Sequence, residues 1–318
     1  MQKLGSSDLE VSRLSLGTNV FGWTADKTAS HAVLDAYVAG GGNFLDTADS
    51  YSAWVPGNEG GESETIIGRW LAKHPELRDD LVVSTKVGQL EGSEGLGRDT
   101  ILRAAEASLE RLQTDRIDLY WAHIDDEETP LEETLGAFTD LIDAGKVRAI
   151  GASNYTGARL AEALAVAERE GLARYVAIQP HYNLVERAEY ERDLAPVVAE
   201  HGLSTVPYAG LAKGFLTGKY RPGGPTVASP RAGVASKYLE HGGGAVLEAL
   251  DAVAAAHDAP VAAIALAWLA AQPGVASPIA SARTTEQLAD LLPVNTLALT
   301  GEEVAALNRA SAAASARA

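Results

Sequence analysis

The chain has 318 residues, of which 46% are hydrophobic and 22% charged, and its net charge is −17. Such an acidic surface repels nucleic acids and anionic membranes, so we expect neither as a partner. The absence of cysteine excludes disulfides, thiolate catalysis and cysteine-ligated zinc. No apolar leader segment opens the chain and no apolar run is long enough to span a bilayer, so we expect a cytoplasmic protein.

The first elements in the chain predict a small hairpin and then a repeated strand–helix pattern. Residues 1–4 and 9–11 flank a Gly-Ser-Ser-Asp turn and are expected to form the hairpin. Short apolar runs predict eight strands, at 14–16, 43–46, 81–86, 117–123, 147–151, 175–179, 203–207 and 275–279.

Helical patterns lie between these strands. One helix is predicted to begin near Thr100. Another follows a capping box of Thr129 and Glu132, with Pro130 at its first position and Gly145 at its end. Strands that alternate with helices indicate a parallel sheet, and eight of them favour a closed barrel over an open sheet. We therefore predict a single α/β domain over 1–318: a (β/α)8 TIM barrel with the N-terminal hairpin beneath it and extra C-terminal helices.

The segment 221–244 departs from this pattern because it is rich in Gly, Pro and Ser and has no clear period. Structureless segments of this length inside a domain are usually functional or disordered. Two interpretations are open, a mobile cover over a ligand and a passive surface loop.

The predicted strands end in polar residues, and active sites of such barrels lie at that rim. The residues at or just after strand ends are Asp46, Lys86, His123, Ser153, Asn154, Gln179 and Tyr208. Each has an ordinary explanation, such as a turn-capping Asp, a core His or a solvated Lys. The predicted strand starts carry no comparable set, and this asymmetry favours a site.

Three of these side chains suggest specific chemistry. Alternation along 117–123 predicts that one face of this strand, with Ile117, Leu119, Trp121 and His123, lies inside the barrel, and it turns His123 toward the barrel mouth. Lys86 ends a strand that is predicted to be buried and needs a counter-charge, which Asp46 can supply from the neighbouring strand. Tyr51 lies five residues beyond Asp46, above the barrel. The seven histidines are scattered without an H-x-x-x-H pair, so we expect no metal.

Several segments together resemble the aldo-keto reductases, in order and over almost the whole chain. They are FLDTADSYS (44–52), STKVG (84–88), DLYWAHIDD (118–126), GKVRAIGASNY (145–155), QPHYNLVER (179–187) and ASARTTEQL (280–288). The opening KLGSSDLEVSRLSLGT resembles the branch that contains bacterial aldo-keto reductases and potassium-channel β subunits. Asp46, Tyr51, Lys86 and His123 look like the catalytic tetrad of this family.

The resemblance implies NADPH-dependent reduction of an aldehyde or ketone, a small-molecule substrate, to an alcohol. Tyr51 would be the general acid. Lys86 is expected to lower the pKa of Tyr51, Asp46 to hold Lys86, and His123 to orient the carbonyl oxygen.

The resemblance also implies a set of cofactor-binding residues. They are Gly17, Thr18, Ser153, Asn154, Gln179, Tyr208, Leu211, Lys213, Leu216, Gly218, Ser281, Arg283, Thr284 and Gln287. Ser153, Asn154 and Gln179 would hold the carboxamide, and Tyr208 would stack on the nicotinamide. Arg283 favours NADPH over NADH because a guanidinium suits a phosphate monoester.

The substrate pocket is less well defined by the sequence. Trp23 and Trp54 are expected to line it, although both could equally be packing anchors. The chain departs from many relatives at Asn19, at Ile124 and at Asp290-Leu291. Two other functions are open: a cofactor-binding redox sensor with little turnover, and an unrelated barrel enzyme that uses Asp46 and His123 differently.

Overall fold

The computed structural model describes residues 1–221, 223–224, 232–235 and 237–315. The chain begins with a hairpin of two antiparallel strands, β1 (Gln2–Lys3) and β2 (Glu10–Val11). Beside these strands Leu4 and Leu9 are fully or almost fully buried. They belong to the same apolar cluster as the side chains inside the barrel. The hairpin therefore covers one end of the barrel.

Eight short, fully or largely buried strands follow and form one parallel sheet in the order β10-β3-β4-β5-β6-β7-β8-β9. Burial on both faces explains why their sequences are apolar runs. The strands are β3 (Ser15–Gly17), β4 (Phe44–Asp46), β5 (Val82–Val87), β6 (Ile117–Ala122), β7 (Val147–Ser153), β8 (Tyr175–Gln179), β9 (Ser204–Thr205) and β10 (Ile279–Ala280).

The last and first edges of this sheet meet through a few contacts. Thr205 pairs with Val275 in a parallel bridge, and the Ile279 N–H donates to the Pro207 carbonyl oxygen at 2.9 Å. The predicted strand 275–279 is therefore divided into a bridge at Val275 and β10, with Pro278, which lacks an N–H, between them. The predicted eight-stranded barrel and its N-terminal hairpin are confirmed.

Helices surround the strands. The α-helices are α1 (Lys27–Ala39), α2 (Glu62–Leu71), α3 (Arg98–Leu112), α4 (Leu131–Asp143), α5 (Gly157–Glu170), α6 (Ala195–His201), α7 (Ala232–Ala235), α8 (Lys237–Glu240), α9 (Gly243–His257), α10 (Val261–Ala270), α11 (Thr285–Ala289) and α12 (Gly301–Ser315). Short 3₁₀ turns lie at Pro75–Leu77, Ala212–Thr217 and Leu292–Asn295, and a π turn lies at Tyr190–Leu194. Within the described residues no single helix is long and apolar enough to cross a membrane, although α9 and α10 together, bent by 96°, reach that length and composition.

The predicted capping box before α4 is wrong. Pro130 is the N-cap of this helix, and no side chain caps it. The Thr129 hydroxyl instead donates to Asp126 Oδ2 at 2.7 Å, because that carboxylate organises the preceding loop. The helix starts at Leu131, one residue later than predicted.

The prediction for 221–244 is also wrong in part. The described residues of this segment include α7, α8 and the first residues of α9, so the segment is helical in part rather than structureless throughout. Residues 222, 225–231 and 236 lie outside the described residues. Whether the segment covers a ligand remains a prediction.

Two apolar clusters hold the fold together. One fills the barrel interior and includes Leu119 and Trp121. The other lies between the strands and the surrounding helices. Ile117 belongs to this outer cluster, so the prediction that it shares the interior with Leu119 and Trp121 is wrong at the first residue of β6.

Candidate active site

A buried ion pair lies at the carboxyl ends of β4 and β5. Lys86 Nζ donates to Asp46 Oδ2 at 2.7 Å, to the Thr47 carbonyl at 2.7 Å and to Tyr51 Oη at 2.8 Å. Lys86 and Asp46 are fully buried. The three acceptors satisfy the three N–H bonds of the ammonium, which a buried lysine requires.

The other oxygen of Asp46 is also occupied. Asp46 Oδ1 accepts from Ser84 Oγ at 3.1 Å and from Gln179 Nε2 at 3.0 Å. Gln179 ends β8, on the far side of the barrel from β4. The carboxylate is therefore held from several strands, and it fixes the position of Lys86.

Tyr51 reaches this pair from the loop after β4. Its hydroxyl lies 3.3 Å from Asp46 Oδ2, to which it donates, while it accepts from Lys86. The next residue, Ser52, has φ 71° and donates through Oγ to the Phe21 carbonyl at 2.8 Å. Asn58 Nδ2 in turn donates to the Ser52 carbonyl at 3.0 Å. These bonds hold the loop in a conformation that non-glycine residues rarely adopt.

The expected acidification of Tyr51 by Lys86 is wrong for this structure. Burial, and next the negative charge of Asp46, raise the pKa of Tyr51 well above its usual value. Burial also lowers the pKa of Lys86, although the charge of Asp46 opposes this effect. Because Asp46 compensates the ammonium, little net positive charge acts on the phenol. Tyr51 is therefore a protonated donor at neutral pH.

His123 follows β6, and its ring packs edge-on against Tyr51, with centroids 6.1 Å apart. Burial, and next the charge of Lys86, lower the pKa of His123 well below its usual range. Its Nδ1 is buried and has no hydrogen-bond partner among the described residues. The neutral imidazole can donate one hydrogen bond to a ligand at the barrel mouth.

A cavity of about 1010 Å³ opens above these residues, which is large for a single ligand site. Its walls include many of the predicted cofactor and substrate residues: Gly17, Trp23, Tyr51, Trp54, His123, Ser153, Asn154, Gln179, Tyr208, Leu211, Lys213, Ser281, Arg283 and Gln287. These residues come from most of the strand ends of the barrel. The fold therefore brings them to one rim, while their individual roles remain predictions.

Four predicted cofactor residues do not line this cavity. The Thr18 hydroxyl is buried and donates to the Asp46 carbonyl at 3.0 Å. Leu216 is fully buried in the outer core, and Gly218 ends a 3₁₀ turn with φ 80°. The Thr284 side chain caps α11 by accepting from the Gln287 N–H. Their placement supports structural roles.

The polar groups near the catalytic end fit a nicotinamide carboxamide. Ser153 Oγ donates to the Gln179 carbonyl at 2.9 Å, and Asn154 Nδ2 donates to the His123 carbonyl at 2.8 Å. The Gln179 amide nitrogen is engaged by Asp46, so its oxygen is the group left to accept from a ligand. Asn154 has φ 58°, a strained conformation that these bonds maintain.

The cavity wall also carries basic side chains, which suit the phosphates of a dinucleotide. Lys213 and Arg283 line it, and neither has a carboxylate within 4.0 Å among the described residues. The Arg283 N–H donates to Gln287 Oε1 at 3.0 Å, which orders the start of α11. In a chain with a net charge of −17, two cations without such partners in one cavity indicate an anionic ligand.

Aromatic side chains border the cavity beside Tyr51. The Trp23 and Trp54 rings lie 5.7 Å apart and nearly perpendicular, and Tyr51 lies 6.4 Å from Trp54. Trp54 is 52% exposed, more than a packing anchor would be. Gln89 also lines the cavity and was not predicted. It lies three residues beyond Lys86, so the strand-end argument could have found it.

Other lining residues were beyond sequence reasoning. Pro260 and Val261 are apolar residues far from any predicted strand end, whereas Val234 belongs to the segment 221–244, for which a cover over the ligand was one of the two interpretations. Asn19, noted as a departure, accepts from Ser281 Oγ at 2.8 Å across the cavity wall. Among the described residues, no group of three or more His, Asp or Glu could hold a metal ion.

Comparison with known proteins agrees with this architecture. The family model described as "Aldo/keto reductase family" matches residues 13–312. "Uncharacterized oxidoreductase YrpG" of Bacillus subtilis is 35% identical over 314 residues, covering 96% of this chain and 94% of its own. "Protein tas" of Escherichia coli is 35% identical over 314 residues, covering 90% of each. The rice "Probable voltage-gated potassium channel subunit beta" is 34% identical over 298 residues, covering 91% and 89%.

The eight-stranded barrel, taken with these matches, puts the protein in the class of barrel oxidoreductases. The chain belongs to the aldo/keto reductase family.

Proposed function

We propose that this protein is an NADPH-dependent reductase that converts an aldehyde or ketone to an alcohol with Tyr51 as general acid. The observation that carries the proposal is the contact of Lys86 Nζ with both Tyr51 Oη, at 2.8 Å, and Asp46 Oδ2, at 2.7 Å, beneath a large cavity. Family membership supports the reaction class.

The reduced nicotinamide, when bound, supplies the hydride. As negative charge develops on the carbonyl oxygen of the substrate, the Tyr51 hydroxyl leaves its long 3.3 Å hydrogen bond with Asp46. It then donates its proton to the carbonyl oxygen. Lys86 continues to donate to Oη and stabilises the phenolate that forms. His123, which is neutral and packs edge-on against Tyr51, would donate to the same carbonyl oxygen and orient it.

Two cations in the cavity wall support the proposed preference for NADPH. Arg283 would meet its 2′-phosphate, and Lys213 its diphosphate. Near Tyr51 the walls carry Trp23 and Trp54 instead of cations, so the substrate class we favour is a neutral carbonyl compound with a flat apolar body.

The role of Tyr51 is tested with Tyr51→Phe. We expect turnover with a panel of aldehydes and ketones to fall at least about a hundredfold, the usual contribution of a general acid. NADPH binding, followed by quenching of protein fluorescence, should persist because the phenyl ring remains. Near-normal turnover would remove Tyr51 as the acid.

The cofactor assignment is tested with Arg283→Ala. The variant should lose about tenfold or more in NADPH affinity, since a charge-assisted hydrogen bond to a phosphate is removed. NADH affinity should change little. Equal losses for the two nucleotides would contradict a 2′-phosphate contact.

A second candidate function comes from the likeness to the plant channel subunit. In that case the chain would bind the nucleotide and sense its redox state for a partner, with little turnover. Repeated turnover with any carbonyl compound supports the enzyme. A single slow oxidation of bound NADPH without further cycles supports the sensor.

A further inference from the structure

The ring of Tyr208 borders the cavity and also stacks on the ring of His181. His181 and Tyr208 follow β8 and β9 and pair in a parallel bridge. Their ring centroids lie 5.2 Å apart, and the ring planes differ by only 9°. Tyr208 lines the cavity and His181 does not, so the imidazole covers the face of Tyr208 turned away from the ligand space.

His181 is itself held in place by a carboxylate. Its Nε2 lies 2.6 Å from Glu186 Oε2, a close contact without the angle of a hydrogen bond. Glu186 accepts a hydrogen bond from Asn183 Nδ2 at 2.9 Å. Tyr238 of α8 bonds to the same carboxylate. Although burial opposes it, the close imidazole of His181 and the hydrogen bond from Asn183 lower the pKa of Glu186, so the group stays ionised at neutral pH.

The same cluster also fixes the chain directly after Tyr208. Asn183 Nδ2 donates to the carbonyl of Ala209 at 3.1 Å, and Ala209 has φ 54°. The Tyr208 hydroxyl donates to Asn154 Oδ1 at 2.9 Å. The Tyr208 ring is therefore held by its backbone, by its hydroxyl and by the stack on His181. Without that stack, the plane of the ring could rotate.

We propose that His181, held by Glu186, is a positioning residue that fixes the plane of the Tyr208 ring for stacking on the nicotinamide. This inference rests on the proposed function, because it assumes that a nicotinamide lies against Tyr208. His181 touches neither cofactor nor substrate and acts through Tyr208. We therefore expect tight binding of the nicotinamide half of the cofactor to depend on an aromatic ring at position 181.

The experiment compares His181→Leu, which removes the ring, with His181→Phe, which keeps one. NADPH affinity is measured by fluorescence quenching. The affinity for 2′-phospho-ADP-ribose, which has no nicotinamide, is measured by calorimetry. We expect His181→Leu to weaken NADPH about threefold to tenfold, the range of an aromatic contact, and His181→Phe to restore most of the loss. Neither variant should change the affinity for 2′-phospho-ADP-ribose.

Two further variants complete the design. Glu186→Gln should weaken NADPH by less than His181→Leu, because the imidazole loses its charged partner but keeps its stack. His201→Leu, at the end of α6 and away from the cavity, serves as the control and should bind as the wild type.

The outcomes separate this inference from the proposed function. Wild-type protein that does not bind NADPH would overturn both. Wild-type binding together with unchanged NADPH affinity in His181→Leu would overturn only the role of His181. Equal losses in the Leu and Phe variants, or a parallel loss for 2′-phospho-ADP-ribose, would show a general structural effect and also overturn it.

Discussion

Asp49 lies two residues before Tyr51 in a buried group of opposite charges. Asp46 pairs with Lys86, and Glu64 pairs with Arg111 at 2.7 Å and accepts from Thr85. With Asp49 the group contains three carboxyl groups but only two cations. Neither carboxyl oxygen of Asp49 has a hydrogen-bond partner among the described residues. Burial, and next the charge of Glu64, raise the pKa of Asp49 to about 7. Asp49 is therefore protonated below about pH 7, next to the candidate site.

This proton makes stability depend on pH. The pKa of Asp49 is raised in the folded state from 3.8 to about 7, so the folded state binds more protons than the unfolded state between these values. The contribution of Asp49 to the free energy of unfolding therefore falls as pH rises from about 4 to about 7, by at most about 4 kcal/mol. Asp49→Asn should remove most of this decline, measured by urea unfolding at pH 5 and pH 8.

The control for this prediction is Asp143→Asn at the exposed end of α4. It should keep the pH dependence of the wild type. If Asp49→Asn also kept it, Asp49 would not be the group that holds the proton.

At this scale the sequence predicted which residues meet but not their electrostatics. The pairing of Asp46, Lys86 and Tyr51 followed from strand ends and a buried charge. The direction of the Tyr51 pKa did not, because it depends on how completely Asp46 compensates Lys86 after water is excluded. Asp49 was missed because an isolated acidic residue in a loop carries no signal of burial.

At the scale of elements, α2 and α3 approach each other through a glycine. A Cβ placed on Gly68 of α2 would lie 2.1 Å from the Arg111 carbonyl oxygen of α3. Backbone atoms cannot yield as a flexible side chain can. This contact fixes the spacing of two helices that support β5 and Lys86.

Gly68→Ala should therefore destabilise the protein by roughly 1–3 kcal/mol or more, because the helices must separate. Gly136→Ala in α4 is the matched control, since a Cβ there meets no atom within 4 Å. That change should stabilise by about 0.5–1 kcal/mol through helix propensity. Urea unfolding of both variants measures the contrast, and equal effects would refute the close approach.

Elements with strong periodicity were predictable, and their ends were less so. Tyr175–Gln179 matches its predicted strand in full. The start of α4 differs because Thr129 found a tertiary partner in Asp126, which no local pattern reveals. The last two strands are shorter than predicted, since Pro207 and Pro278 interrupt the apolar runs that suggested them.

At the scale of the whole molecule, the number and order of the strands were enough to predict the barrel, because parallel strands joined by helices have few ways to pack. The sequence could not show which rim residues face the cavity. Thr18 and Leu216 are adjacent in sequence to residues that line the cavity. The local backbone nevertheless turns Thr18 toward Asp46 and Leu216 into the core.

The place where the barrel closes is its least extensively bonded junction. β9 and β10 have two residues each and meet mainly through the bridge at Val275 and the bond to Pro207. The cavity wall includes Tyr208 on one side of this junction and Ser281 on the other. A molecule bound across this junction would stabilise the closed barrel. Binding of the ligand would then raise the free energy needed to open the barrel, and opening of the barrel would weaken binding.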